Sequence, residues 1–96
     1  MVSYEISSNA KEDLRRIYRY GFNSFGELRA DQYFWGFFKT FENISLNPLN
    51  YQSVDHIRLG YRRCVYGSDS IYFRVKQDGM VEIMAVLGGQ DTDEWL

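Results

Sequence analysis

The first residues of the chain alternate between apolar and polar side chains. Val2, Tyr4 and Ile6 are each followed by a polar residue, up to Ser7. Because successive side chains of a β-strand point to opposite faces, this period of two places one face of a strand on a core. We therefore expect a short first strand between Val2 and Ser7.

A helical pattern replaces the alternation at Asn9. Asn9 and Glu12 have the spacing of an N-cap residue and a glutamate that reaches back to it, so we expect the helix to begin there. Gly21 and the segment from Asn23 to Gly26 predict its end, because Gly and Asn tolerate left-handed backbone angles. Its apolar positions recur three or four residues apart, as in an amphipathic helix: Ala10, Leu14, Ile17, Tyr18 and Gly21.

A second, longer amphipathic helix is predicted from Glu27 to Leu46. Pro48 stops it, since proline lacks an amide proton and disfavours helical angles at the preceding residue, and a loop then runs to about His56. Two helices joined by a short link form an αα-hairpin. The apolar positions of this helix are Leu28, Phe34, Phe37, Phe38, Phe41 and Ile44.

The last third of the chain predicts a meander of three antiparallel strands. We expect them at Ile57 to Tyr66, Ser70 to Lys76 and Met80 to Leu87. Tyr66-Gly67-Ser68-Asp69 separates the first two, and Gln77-Asp78-Gly79 separates the last two. Asp-Gly is a strong hairpin signal, because both residues accept positive φ.

The last predicted strand is apolar on both faces. Val81, Ile83, Ala85 and Leu87 alternate along one face, and the other face carries two further apolar residues, Met84 and Val86. A strand of this kind is typical of a sheet centre, where both faces are covered.

The order β-α-α-β-β-β predicts an α+β fold, in which a helical hairpin packs on one side of a small, mainly antiparallel sheet. A length of 96 residues with 45% hydrophobic and 18% aromatic content allows one compact core and is too small for two. We therefore expect residues 1–96 to form one domain.

Several segments of this pattern resemble the ParE branch of the RelE/ParE toxin superfamily, in order and over essentially the whole chain. They are Ser7–Leu14, Ile57–Arg63, Val65–Ser68, Ile71–Val75 and Val81–Leu87. The resemblance implies the RelE/ParE fold and the toxin of a bacterial type II toxin–antitoxin pair. Gly88–Leu96 departs from the family, since many relatives carry His, Arg and Asp there and this chain is acidic.

The resemblance leaves two activities to separate, because ParE-like toxins inhibit DNA gyrase and RelE-like toxins cleave mRNA on the ribosome. Cleavage needs a general base, a general acid and a cation beside the phosphate. Candidates are His56, Arg58, Tyr61, Arg62, Arg63, Tyr72, Arg74 and Lys76. The acidic Gly88–Leu96 segment lacks the His or Tyr that would complete such a site, which favours a non-catalytic gyrase inhibitor. A ribosome-dependent mRNA interferase and a degenerate, non-toxic binding member remain alternatives.

Charge and composition exclude several other classes of function. A net charge of −2 gives no global basic field, so we expect no direct sequence-specific DNA binding by the toxin alone. The chain has no phosphate-binding glycine loop, and Cys64 has no second cysteine, so we expect no cofactor, no metal and a buried apolar role for this thiol. Because the sequence shows neither a signal-peptide pattern nor a long apolar stretch, we expect the protein to be cytoplasmic and not to span a membrane.

Eight tyrosines, seven phenylalanines and two tryptophans exceed what so small a core encloses, which favours a binding protein. We expect Arg58 and Arg62 to share one face of a strand and Arg63 to lie on the other. The predicted partner-binding residues are Tyr18, Phe22, Trp35, Arg58, Arg62, Arg63 and Trp95. The resemblance implies a cognate antitoxin that lays a helix in a groove by the hairpin and an extended stretch along a sheet edge. With a net charge of −2, its recognition should depend mainly on apolar burial.

Overall fold

Two long helices pack on one face of a five-stranded sheet. The computed structural model describes residues 4–89 and 92–96. Its elements are β1 (Tyr4–Ile6), α1 (Ser8–Phe25), α2 (Glu27–Leu46), a 3-10 turn (Pro48–Asn50), β2 (Gln52–Ser53), β3 (Tyr61–Tyr66), β4 (Asp69–Val75), β5 (Val81–Leu87) and α3 (Thr92–Trp95). The predicted α+β fold with a helical hairpin is confirmed. The predicted start of the first strand, Val2, lies outside the described residues.

The sheet has the strand order β1-β5-β4-β3-β2. β3, β4 and β5 form the predicted antiparallel meander, and β1 pairs in parallel with β5. Two glycines with positive φ make the turns between these strands, Gly67 at 56° and Gly79 at 87°. β2 pairs with β3, although its two polar residues were predicted to lie in a loop. The short strands β1 and β2 therefore flank a central meander.

Helix α1 begins at a different residue from the one predicted. Ser7, rather than Asn9, is the N-cap, and its Oγ accepts the amide proton of Ala10 at 3.1 Å. The same hydroxyl lies 3.1 Å from the carbonyl oxygen of Met84 and donates to it. Ser7 was assigned to the strand because it continued the period of two, and its contact with β5 is not visible in the local sequence pattern. The predicted end is confirmed, since α1 closes at Gly26 with φ 90°.

The third strand starts later than predicted. The amides of Ile57 and Arg58 both donate to the carbonyl of Val54, so residues 54–60 form a compact turn instead of a strand. Gly60, with φ 85°, leads from this turn into β3 at Tyr61. As a result Arg58 lies in the turn, and the prediction that it shares a strand face with Arg62 is wrong.

The main core lies between the hairpin and the sheet. Phe37, Phe41 and Ile44 of α2 are fully buried, and Leu14 and Ile17 of α1 pack with them. Leu28 was expected to be one of the apolar positions of α2, yet it is 72% exposed because it lies at the start of the helix, near the tip of the hairpin. No helix among the described residues is long and apolar enough to cross a membrane.

A β-bulge in β5 changes which side chains share a face. Tyr72 pairs with Ala85, whereas its neighbour Phe73 pairs with Ile83, so Met84 is an extra residue without a partner in β4. Val81, Ile83 and Val86 therefore face the hairpin, while Ala85 and Leu87 face the opposite side. The predicted single face of Val81, Ile83, Ala85 and Leu87 is wrong, because an alternation of two cannot reveal a bulge at an apolar residue.

The sheet face away from the hairpin carries a second, smaller core, and we call this face the outer sheet face. Its buried members are Val54, Tyr61, Tyr72, Ala85 and Leu87. Ile57 of the compact turn and Leu96 after α3 pack against them. The predicted burial of both faces of β5 is confirmed.

Candidate functional site

Aromatic side chains form a continuous surface along the seam between α1 and α2, and we call it the aromatic face. It consists of Tyr18, Phe22, Phe34, Trp35 and Phe38. Ring centroids lie 6.3 Å apart for Tyr18 and Phe22, 5.4 Å for Tyr18 and Phe34, and 5.3 Å for Phe34 and Trp35. Phe22 is 45% and Trp35 65% exposed. The aromatic face thus offers large rings to a partner in a fixed arrangement.

Charged residues of opposite sign border the aromatic face. Arg15 and Arg19 of α1 line a groove of about 420 Å³ in it. On the α2 side, the Tyr18 hydroxyl donates to Asp31 Oδ1 at 2.6 Å. This hydrogen bond, with burial and the negative charges of Asp31 and Glu27, raises the pKa of Tyr18 above its ordinary value. Both carboxylates therefore disfavour ionisation of the Tyr18 hydroxyl within the aromatic face.

A second concave surface lies beneath the hairpin tip, and we call it the end groove. It encloses about 480 Å³ between the two helices, the β3–β4 turn and the residues after β5. Phe25 packs edge-on to Tyr20 at 6.3 Å, and the Arg29 guanidinium lies 5.1 Å from the Phe25 ring centroid. Its lining includes Arg16, Tyr20, Phe25, Arg29, Tyr33, Asp69, Gly88 and Gly89.

Two tyrosines fix the floor of the end groove. The Tyr33 hydroxyl lies 2.7 Å from Asp69 Oδ2 and 3.1 Å from the Tyr66 carbonyl, and the Tyr66 hydroxyl donates to the Tyr33 carbonyl at 2.9 Å. Burial and the hydrogen bond to Asp69 raise the pKa of Tyr33 to about 12. Because each ring is bonded to the other residue's main chain, α2 and the β3–β4 turn are held as one unit.

Side chains of α1 bond to the edge of β5 beyond the residues that pair with β1. Asp13 Oδ2 accepts the Val86 amide proton at 3.0 Å, and Arg16 Nη2 donates to the Val86 carbonyl at 3.1 Å. The Ser7 amide donates to the Ile83 carbonyl at 2.9 Å. The backbone groups that an added strand would need on this side are therefore already bonded.

The opposite edge of the sheet is open at the end of β3. β2 pairs only with Arg62 and Arg63. The amide and carbonyl of Tyr61 both bond to the turn on that side, so those of Val65, four residues on, point the same way. Val65 is 64% exposed, and no strand of the described part of the chain pairs with it there. This edge can accept an extended segment.

The predicted arginines are separate from one another and from the aromatic face. Arg58 donates to the Leu96 carbonyl at 2.7 Å and lies 5.6 Å from the Tyr61 ring centroid. Arg62 donates to the Tyr51 carbonyl at 2.8 Å, and Arg63 Nε donates to Ser70 Oγ at 2.9 Å. These bonds give all three side chains contacts within the fold, so they form no common patch.

The structure therefore divides the predicted partner-binding residues. Tyr18, Phe22 and Trp35 lie together on the aromatic face, whereas Trp95 lies in α3 with 59% of its surface exposed. A groove by the hairpin was implied by the resemblance, but of the predicted partner-binding residues only Tyr18 lines the end groove. Its residues come from distant parts of the chain, and only the pairing of strands with the hairpin brings them together.

The described residues give no sign of a metal or thiol site. No group of three His, Cys, Asp or Glu in this part of the chain could hold a metal ion. Cys64 is buried at 8% exposure, and its burial raises the pKa of the thiol. The predicted packing role of Cys64 is confirmed, since it belongs to the main core.

Comparison with known proteins identifies the family. The model of the ParE toxin of the type II toxin–antitoxin system parDE matches residues 4–92. Toxin ParE1 of Caulobacter vibrioides is 37% identical over 87 residues, covering 91% of this chain and 88% of that protein. Toxin ParE1 of Mycobacterium tuberculosis is 29% identical over 84 residues, covering 88% and 86%.

A solved structure described as the chromosomal ParDE TA system from P. aeruginosa has the same fold. It matches with a TM-score of 0.78 at 18% identity, covering 94% of this chain and 98% of that one. The family match spans every strand and both long helices described above. The chain therefore belongs to the ParE family of toxins of type II toxin–antitoxin systems.

Proposed function

We propose that this toxin inhibits DNA gyrase by binding it, and that a cognate antitoxin encoded beside it neutralises the inhibition. Family membership supports the proposal, together with one structural observation: of the side chains that could catalyse RNA cleavage, all but His56, which is exposed in the compact turn, are engaged within the fold. Gyrase acts in the cytoplasm, so the toxin is proposed to act there as well.

The engaged side chains lie on and around the outer sheet face. Tyr61 and Tyr72 are 6% and 5% exposed, under the compact turn and Leu96. Arg74 pairs with Glu82 at 2.8 Å, which raises the pKa of Arg74. RNA cleavage would need an accessible base, acid and cation at hydrogen-bonding distance from one ribose phosphate. Covered rings and paired cations favour binding over catalysis.

The end groove and the open edge of β3 form one path for the antitoxin. Ser68 and Asp69 line the groove, and the chain continues from them to the open edge at Val65. A segment that is disordered when free can lay a helix in the groove and then extend beside β3. The β5 edge is a poor alternative, because Asp13 and Arg16 already bond the backbone of Val86.

Paired assays on the purified toxin test the activity. We expect inhibition of DNA supercoiling by gyrase, no cleavage of mRNA in a translating extract, and restored supercoiling when the antitoxin is added. Cleavage of mRNA would support the interferase alternative. Neither activity, with antitoxin binding retained, would support a degenerate binding member.

Substitutions in the end groove test the antitoxin path. Tyr20→Ala and Arg29→Ala remove exposed groups from its lining, and we expect each to weaken antitoxin binding by about tenfold or more. Leu46→Ala is the matched control, since Leu46 is 75% exposed at the other end of α2. Equal losses for all three variants in calorimetric titration would count against the path.

A further inference from the structure

The turn between β4 and β5 contains the one place in the sequence where glycine follows an aspartate or an asparagine, at Asp78-Gly79. Both residues are exposed to solvent. The main-chain nitrogen after an aspartate can attack the carbon of its carboxyl group, and any side chain on the following residue hinders that approach. Glycine has no such side chain. Asp78 is therefore the aspartate of this chain that is most open to the attack.

The reaction closes a five-membered imide ring and loses one water molecule. A bond forms between the Gly79 nitrogen and Asp78 Cγ, while the hydroxyl of the neutral carboxyl group and the amide proton leave together as water. Water then opens the ring at either of its two carbonyl groups. Opening at Cγ restores aspartate, and opening at the main-chain carbonyl leaves isoaspartate, in which the chain continues through the side-chain carbon. The water that was lost is regained, so no other reactant is needed.

The folded turn engages both reacting groups in hydrogen bonds. The Gly79 amide donates to the Lys76 carbonyl at 2.9 Å. Asp78 Oδ1 accepts the amide proton of Met80, also at 2.9 Å. The imide has no proton on the Gly79 nitrogen, so ring closure requires the bond to Lys76 to break. Only chains in which this turn has opened can therefore react.

The product does not fit this turn, because isoaspartate adds one carbon atom to the main chain between the two strands. Beside the turn, the Lys76 amide donates to the Met80 carbonyl at 2.9 Å, and Val75 pairs with Val81. The type and length of a turn set the register of its hairpin. Val81 is fully buried in the main core, so a change of register here would reach the interior.

We propose that Asp78 is a site of isoaspartate formation, that the folded turn suppresses the reaction, and that the product prevents the β4–β5 hairpin from forming again. Unfolded chains are then lost irreversibly from the population that can refold, whereas folded chains persist. This modification goes beyond gyrase inhibition and antitoxin binding, and it depends on neither of them.

Prolonged incubation of the full chain at neutral pH, in buffer and in urea, tests the site and its suppression. Mass spectrometry with electron-transfer fragmentation locates isoaspartate along the chain. We expect it at position 78, forming about tenfold or more slowly in buffer than in urea, because only the locally open fraction reacts. Asp55 is the control within the same molecule. It is also exposed, and its carboxylate also accepts a main-chain amide proton, but His56 follows it, so it should remain aspartate.

Asp78→Glu is the matched variant for the effect on refolding. It keeps the carboxylate, but ring closure would need a six-membered imide, which forms far more slowly. After incubation in urea and dilution into buffer, wild type should lose refolded protein in proportion to its isoaspartate content, whereas the variant should lose none by this route. Each protein is compared with its own sample before incubation, so a small difference in melting temperature does not affect the result.

Three results would overturn the proposal. Equal rates of isoaspartate formation in buffer and in urea would mean that the folded turn gives no protection. Modified chains that refold as completely as unmodified ones would mean that the turn accommodates the product. Isoaspartate found only elsewhere, for example at Asn23 before Ser24, would mean that Asp78 is not the site. Failure of gyrase inhibition would leave all these measurements unchanged, so the two proposals fail separately.

Discussion

Gly36 of α2 lies directly against a side chain of the sheet. A Cβ atom added there would lie 1.9 Å from the Tyr66 hydroxyl oxygen. Tyr66 cannot move aside easily, because its ring packs 4.5 Å from Phe37 and its hydroxyl bonds to the Tyr33 carbonyl. A single absent side chain thus allows the contact that fixes the β3–β4 turn.

We expect Gly36→Ala to lower the free energy of unfolding by about 1–3 kcal/mol, because overpacking outweighs the better helix propensity of alanine. Urea denaturation measures this change. Gly21→Ala is the control in α1, where the new Cβ would be 3.6 Å from the Ala30 Cβ, an ordinary contact. It should raise stability by about 0.5–1 kcal/mol. A stable Gly36→Ala variant would show that the Tyr66 contact is looser than described.

Alkaline pH should weaken the fold through Tyr33. Its pKa rises from an ordinary 10.0 to about 12 in the folded chain, mainly through burial and then the Asp69 hydrogen bond. The folded state therefore holds this proton where the unfolded state releases it. The stabilisation is complete below pH 10.0 and is lost as pH rises toward about 12.

Tyr33→Phe should reduce the slope of unfolding free energy against pH in this window. It should not abolish the slope, because burial also raises the pKa of Tyr4, Tyr51 and Tyr66. Denaturant titrations at several alkaline pH values give the slope for each protein. An unchanged slope in the variant would contradict the role of Tyr33.

At the scale of elements, two residues are candidates for the N-cap of α1. The local sequence pattern indicates Asn9, whereas the structure has Ser7, which also contacts β5. Ser7→Ala removes the N-cap bond to Ala10 and the bond to Met84, and we expect a loss of about 1–2 kcal/mol. Asn9→Ala is the matched control, since Asn9 is exposed inside the first turn, and it should change stability by less than about 0.5 kcal/mol. Thermal or urea unfolding measures both losses. A larger loss of stability for Asn9→Ala than for Ser7→Ala would identify Asn9 as the N-cap.

Helix ends were predictable because they depend on neighbouring residues. Gly26 and Pro48 mark the ends of α1 and α2 by backbone geometry alone, and both are observed. The two residues of β2 show no alternation and become a strand only by pairing with β3. The bulge at Met84 was hidden for a similar reason, since an apolar residue fits either register.

At the scale of the whole molecule, the candidate surfaces were predictable to different degrees. Tyr18 and Phe22 lie four residues apart on one helix, so their common face follows from helical spacing. Asp69 and Arg16 both line the end groove only because β4 and α1 each pack against β5. Sequence spacing contains no information on such a meeting.

Net charge predicts how the antitoxin complex responds to salt. At −2 the toxin exerts little long-range attraction, so we expect antitoxin affinity to fall by less than about tenfold between low and physiological salt. Calorimetric or surface-based titration across a salt series measures this. A steep decline would mean that charge pairs, rather than apolar burial, dominate recognition.

Both tryptophans are on the surface, while the interior is built from phenylalanine, tyrosine and aliphatic side chains. Their fluorescence in the native toxin should already resemble that of indole in water, and denaturation should change its wavelength little. Covering Trp35 should instead shift its emission to the blue, while Trp95 provides a constant background. The natural fluorophores of this protein therefore report on contacts made at the aromatic face rather than on folding.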